Sequence, residues 1–77
     1  MISLSMARFN YKYKIIELKD LTFKVKRRLY ELGFLPCHII KVLRTSLLKR
    51  SYLVEIGGYT LTIRRDIAEN IYVSDKL

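Results

Sequence analysis

Apolar and basic residues alternate near the start of the chain. Within residues 11–18, Tyr11, Tyr13 and Ile15 alternate with Lys12 and Lys14. Successive side chains of a strand point to opposite faces of a sheet, so a period of two is typical of a half-buried strand. The pattern therefore predicts a first strand over residues 11–18 with its lysines facing outward.

The apolar spacing then becomes helical. Val25, Leu29 and Leu32 fall on one stripe of a helix predicted over residues 23–32. Asp20 and Thr22 are alternative caps for its first turn. Its end is marked by Gly33, where a left-handed backbone closes a helix. The helix end is followed by Phe34, placed to pack back on the last turn, and by Pro36, which prevents continuation.

The clearest local signal is a hairpin around Gly57-Gly58, because two glycines tolerate the positive φ angles of a tight two-residue turn. A strand over residues 38–44 and a polar, basic connection over residues 45–51 precede it. The register implied by the turn puts three apolar pairs on one face, namely Ile56 with Tyr59, Val54 with Leu61 and Tyr52 with Ile63.

The remaining residues complete a small barrel. Residues 65–70 suit a single helical turn, and residues 71–73 suit a short closing strand. Five short strands and one helix predict a mainly β fold, a partly open barrel of SH3 type, with residues 1–77 as one domain.

Composition narrows the functional classes. The chain has 77 residues, 51% of them apolar, and no run long enough for a membrane span. Residues 1–6 lack the features of a secretory signal, so a cytoplasmic location is expected. The net charge of +8 favours acidic partners such as nucleic acid, anionic lipid or an acidic protein surface, or simply serves solubility.

Residues for catalysis or metal binding are scarce. The only histidine, His38, follows the only cysteine, Cys37. Neighbours in a strand face opposite ways, so the pair is interpreted as a packed thiol beside a surface imidazole. No paired carboxylates or glycine-rich phosphate loop is present, and an enzyme is not expected. Iron(II) sites commonly take two histidines and a carboxylate, so Cys37 and His38 are the candidate ligands of an incomplete set, and no cofactor is predicted.

Four segments together resemble the ferrous iron transport protein A family. They are RLYELGFLP at residues 28–36, IKVLR at 40–44, VEIGGYTLTIRR at 54–65 and AENIYV at 68–73. The resemblance extends over nearly the whole chain. It implies an SH3-like barrel with a helix inserted after the first strand.

The chain departs from that family in three turns. Pro36-Cys37 replaces the usual Pro-Gly after the helix, and Lys49-Arg50-Ser51 replaces a common Gly-Asp-Pro. An early Pro-Gly turn is replaced by Phe9-Asn10, where asparagine is able to adopt the left-handed conformation. The Lys49-Arg50-Ser51 loop is basic where the family's loop is acidic. A contact that the family makes through this loop is therefore not expected to carry over to this chain.

The resemblance implies a cytosolic accessory protein of ferrous iron uptake that acts on a membrane permease with a GTPase domain. We expect docking rather than chemistry, through the surface around the helix end. The predicted contact residues are Phe34, Leu35 and Pro36, with Arg27, Arg28, Arg64 and Arg65 supplying positive charge. Alternatively, the apolar residues close the barrel and the arginines are solvated. Leu35 and exposed barrel edges also allow a homo-oligomer.

A nucleic-acid-binding or transcription-regulator-associated barrel is the alternative function. Fifteen basic residues and six tyrosines are compatible with it. However, Tyr52 and Tyr59 are predicted on the core face of the hairpin, and a helix-turn-helix does not precede the barrel.

Overall fold

Six antiparallel strands form a single sheet in the order β1-β6-β2-β3-β4-β5. The computed structural model describes residues 1–77. The strands are β1 (Ile2–Ser3), β2 (Tyr13–Leu18), β3 (Ile39–Thr45), β4 (Ser51–Ile56), β5 (Tyr59–Arg64) and β6 (Ile71–Ser74). The helices are α1 (Phe23–Glu31) between β2 and β3, the short α2 (Arg65–Ala68) before β6, and one 3₁₀ turn (Leu4–Met6). Neither α-helix has the length and apolar content needed to cross a bilayer.

The sheet curls around a core of 15 buried residues, and no charged residue is among them. In β4 the inward positions are Tyr52, Val54 and Ile56, as the alternation predicted. Register shifts interrupt the pairing of β2 with β6 and of β3 with β4. Such bulges increase local twist and bend a strand, which helps a short sheet to close over its core.

Local sequence signals set both ends of α1. Thr22, rather than Asp20, is the N-cap, and its side chain accepts a hydrogen bond from the Val25 amide at 3.3 Å. At the other end Gly33 has φ +101°, and the Phe34 amide donates to the Leu29 carbonyl at 2.9 Å. The predicted glycine stop is therefore confirmed.

The β4–β5 hairpin has the predicted register, with Ile56 opposite Tyr59 and Tyr52 opposite Ile63. Its burial differs from the prediction at Tyr59, which remains 43% exposed. The Tyr59 hydroxyl donates a hydrogen bond to the Leu32 carbonyl, so the hairpin tip is attached to the end of α1.

One additional strand and two strand starts correct the sequence-based prediction. The structure adds β1, whose two residues are too few to show a period of two. Strand β2 begins at Tyr13, because residues 7–12 form an irregular segment whose Asn10 amide bonds the Val42 carbonyl at 2.7 Å. Strand β3 begins at Ile39, because His38 still belongs to a turn that its amide closes onto the Leu35 carbonyl.

Candidate docking surface

A groove with an apolar floor lies between α1 and β5. Its volume is about 370 Å³, and Arg28 of α1 and Arg64 at the end of β5 are among its lining residues. The floor consists of apolar side chains from α1 and its C-cap residue, from β5 and from α2, namely Val25, Leu29, Leu32, Leu61, Ile63 and Ile67. We call this feature the α1–β5 groove.

Two periodicities build the groove. The helical stripe supplies Val25, Leu29 and Leu32, and the alternation of β5 supplies Leu61 and Ile63. Leu29 and Ile63 are buried, whereas the other three remain half-buried. Part of this apolar surface thus stays open to solvent between the helix and the strand, and this open part is the groove.

Ion pairing distinguishes the arginines around the groove. Arg64 Nε lies 3.4 Å from the Asp66 carboxylate. Arg27 pairs with Glu31 at 3.8 Å, and Arg65 pairs with Glu69 at 3.8 Å. Arg28 forms no such pair. Because exposed pairs are weak, Arg28 and Arg64 both remain available to a carboxylate of a partner.

The structure brings together only some of the predicted contact residues. Arg28 and Arg64 meet at the groove. Arg27 lies outside the groove's lining, and Arg65 lines a neighbouring shallow surface with Arg50, Arg64 and Asp66.

The apolar contacts predicted at the helix end need correction. Phe34 is completely buried, so it closes the barrel and is not available to a partner in the folded chain. Leu35 and Pro36 are exposed, although neither lines the groove. Sequence reasoning placed the apolar groove residues in the core. The available signal was that the helical stripe and β5 together offer more apolar positions than this short barrel covers.

Cys37 and His38 are exposed neighbours in the turn between α1 and β3. The prediction of a packed thiol is therefore wrong. The reason is that Cys37 lies in a left-handed turn, with φ +74°, and its amide donates to the Ile15 carbonyl at 2.7 Å. The argument from opposite strand faces does not apply, since β3 starts after both residues. No three His, Cys, Asp or Glu side chains cluster closely enough to hold a metal ion.

A family model described as the FeoA domain matches residues 2–75. The chain belongs to the FeoA domain family. The family is associated with ferrous iron transport. No curated protein sequence matches the chain.

Solved structures share the fold. The FeoA protein from Chlorobium tepidum is 32% identical, with a TM-score of 0.87 over 95% of this chain and 69% of that chain. The zinc-complexed FeoA of Stenotrophomonas maltophilia, an SH3 domain protein, is 22% identical, with a TM-score of 0.81 over 96% of this chain and 91% of that one. The repressor ScaR with bound Zn²⁺ is 23% identical, with a TM-score of 0.82 over 96% of this chain and 36% of that chain. The predicted SH3-like barrel is confirmed.

The turns in which this chain departs from its family keep left-handed residues. Asn10 has φ +62°, as expected for a turn that survives the replacement of glycine. Cys37 has φ +74° where the resemblance implies glycine, and Lys49 has φ +55° in the loop between β3 and β4. A side chain in this conformation is strained, whereas glycine adopts it without that strain.

Proposed function

We propose that this FeoA domain is a cytoplasmic accessory protein of ferrous iron uptake that docks onto the GTPase domain of the membrane permease. The observation that carries the proposal is the α1–β5 groove, in which an apolar floor is combined with Arg28 and Arg64. Docking, rather than catalysis, is the activity that this arrangement supports.

The groove suits an acidic, apolar segment of a partner. An apolar side chain seated on Leu32, Leu61 and Ile67 would remove their remaining exposed surface from water. A carboxylate beside it would meet Arg28 and Arg64, and guanidinium groups form strong, directional bonds to carboxylates. The net charge of +8 would further steer an acidic partner to the domain.

A relative supports the transport role. For the Stenotrophomonas maltophilia FeoA a role as an activating factor of bacterial ferrous iron transport has been suggested. Family membership extends that suggestion to this chain as part of the proposal.

The test compares two adjacent arginines. The purified GTPase domain of the cognate permease is immobilised, and the Kd is measured for the wild type, Arg28→Glu and Arg27→Glu. Arg28→Glu is expected to weaken binding about tenfold or more, because it removes an attraction and adds a repulsion at the groove. Arg27→Glu has the same change of charge on the outer face and should leave the Kd within about twofold.

Equal losses for the two variants would mean that net charge alone governs binding and would contradict docking through the groove. Leu35→Asp examines the helix end separately, because Leu35 is exposed and lies outside the groove. Loss of binding in Leu35→Asp alone would move the docking site to the helix end.

Nucleic-acid binding remains the rival function, and the structure offers little for base stacking on the hairpin. Tyr52 is buried, and the Tyr59 hydroxyl is bonded to the end of α1. Titration with short DNA and RNA over a salt series separates the two functions. Specific, steeply salt-dependent binding, with no affinity for the GTPase domain, would overturn the transport proposal.

A further inference from the structure

The turn between β3 and β4 exposes two consecutive leucines. Leu47 is 96% exposed and Leu48 is 63% exposed, although this connection reads as polar and basic from its overall composition. Exposed apolar side chains are common singly, but neighbouring ones that protrude together point to an interaction surface.

The turn is internally bonded. The Ser46 hydroxyl accepts hydrogen bonds from the Arg50 amide at 3.0 Å and the Ser51 amide at 3.2 Å. The Ser46 carbonyl also accepts from the Lys49 amide at 2.9 Å. These bonds hold a defined turn, and Leu47 and Leu48 lie at its outermost point.

A second segment adds apolar surface beside this turn. Met6 and Phe9 line a surface depression that also includes Thr45 and Lys49. Both side chains are at least half exposed. We call Met6, Phe9, Leu47 and Leu48, together with the basic residues of residues 6–12 and 44–51, the β3–β4 tip.

The two segments that carry these apolar residues are rich in basic residues. Residues 6–12 and 44–51 contain no Asp or Glu, and their basic residues are Arg8, Lys12, Arg44, Lys49 and Arg50. None of the five forms an ion pair. Two carboxylates lie nearby: Asp66, beside Arg50, is already paired with Arg64, and Asp75 shares a depression with Met6 and Arg8.

We propose that the β3–β4 tip binds the surface of an anionic lipid bilayer, with Leu47 and Leu48 inserted at the boundary between headgroups and acyl chains. Apolar residues flanked by lysine and arginine are the combination that peripheral proteins use at such surfaces. Leu47 and Leu48 protrude from the tip, so a protein partner would need a matching cavity, whereas a fluid bilayer deforms around them. The inference does not depend on docking through the α1–β5 groove.

The first test measures cosedimentation with vesicles of phosphatidylcholine, with and without phosphatidylserine. Leu47→Ser combined with Leu48→Ser is expected to lower the partition coefficient on anionic vesicles about tenfold, which corresponds to about 1.4 kcal/mol. The matched control is Phe23→Ser, since Phe23 is 79% exposed beside Lys24 but lies on α1. Its binding should equal that of the wild type.

The second test changes charge at the same tip. Lys49→Gln and Arg50→Gln are each expected to reduce binding about fivefold at low salt. The reason is that each basic residue near an anionic surface contributes a similar share of the electrostatic binding free energy. Lys24→Gln combined with Lys26→Gln removes two charges from α1. This control should reduce binding clearly less than Lys49→Gln combined with Arg50→Gln.

The third test reports insertion directly. The chain contains no tryptophan, so Leu48→Trp introduces a single fluorophore at the tip. Anionic vesicles should shift its emission to the blue, and lipids brominated on the acyl chain should quench it. Phe23→Trp should show neither effect. This readout also applies if the serine variants prove unstable.

Three outcomes would overturn the proposal. These are no binding to phosphatidylserine vesicles, equal loss in Phe23→Ser and the double leucine variant, or a Leu48→Trp fluorophore that stays in water while the protein is bound. Tight binding to oligonucleotides that the charge variants abolish and the leucine variants leave unchanged would assign the tip to nucleic acid instead.

Discussion

Strand β4 connects two hairpin turns that behave in opposite ways. At its end, Gly57-Gly58 turns the chain into β5, and the Tyr59 hydroxyl attaches that tip to the Leu32 carbonyl of α1. At its start, the β3–β4 turn projects Leu47 and Leu48 into solvent, and no side-chain hydrogen bond of this kind attaches them to another element. One strand thus joins a tip that contributes to the fold with a tip that is free to bind something else.

The two turns differ both in their residue types and in what their side chains contact. The Gly57-Gly58 turn has the residues that its backbone needs and places its apolar neighbours against the barrel. The β3–β4 turn has Lys49 at φ +55° and keeps its leucines outside. A strained backbone costs stability and the exposed leucines contribute none, so we expect a functional reason for this turn rather than a structural one.

Removing apolar side chains at the two ends of β4 gives the largest predicted contrast. Ile56→Ala should destabilise the domain by about 2–5 kcal/mol, because a fully buried side chain leaves a cavity. Leu47→Ala should change stability by less than about 0.5 kcal/mol, because the side chain is already in water. Urea unfolding of both variants measures the difference. A loss above 1 kcal/mol in Leu47→Ala, a threshold at about the average effect of a point mutation, would show that the tip is part of the core.

Exchanging glycine between the two turns should give effects of opposite sign. Gly58 has φ +83° and open space at its Cβ position. Gly58→Ala should therefore cost about 1–2 kcal/mol from backbone strain alone. Lys49→Gly relieves the same strain and should raise stability by less than about 1 kcal/mol, because glycine also loses more entropy on folding. Destabilisation in both variants would contradict the strain at Lys49.

The turn after α1 extends the comparison to a third left-handed position. Cys37→Gly should stabilise the domain by up to about 1 kcal/mol, by the same release of strain. For a domain of this size this corresponds to a rise in Tm of about 4–8 °C. Cys37→Ala keeps the strain and serves as the control, with a Tm near that of the wild type. A gain in Cys37→Ala equal to that in Cys37→Gly would attribute the effect to the thiol instead.

The last prediction concerns the attachment of the Gly57-Gly58 tip. Tyr59→Phe removes the hydroxyl that bonds the Leu32 carbonyl and should cost about 0.5–1 kcal/mol, since the site is partly exposed. Hydrogen exchange should accelerate at the last amides of α1. Tyr30→Phe is the control, because the Tyr30 hydroxyl has no hydrogen-bond partner in the fold. Identical exchange in the two variants would mean that the attachment contributes nothing.

Much of the barrel follows from local signals in the sequence. Gly33 and Gly57-Gly58 mark turns correctly because the left-handed conformation they adopt is a property of the residue itself. Prediction failed where burial depends on distant packing. Phe34 was predicted to contact a partner, with closure of the barrel as the alternative, and it is completely buried because it returns to the barrel directly after the helix stop. Strand β1 escaped notice because it exists only through its pairing with β6.

The sequence by itself determined the order of the elements from β2 onward, the hairpin register and the family, because periodicity and turn chemistry act over a few neighbouring residues. Only the tertiary structure decided which charged and apolar residues share a surface. Arg28 and Arg64 line one groove because α1 packs beside β5, while Arg27 faces away. Leu47 and Leu48 remain outside because nothing in this fold packs over the β3–β4 tip, and such an arrangement is set by the path of the whole chain.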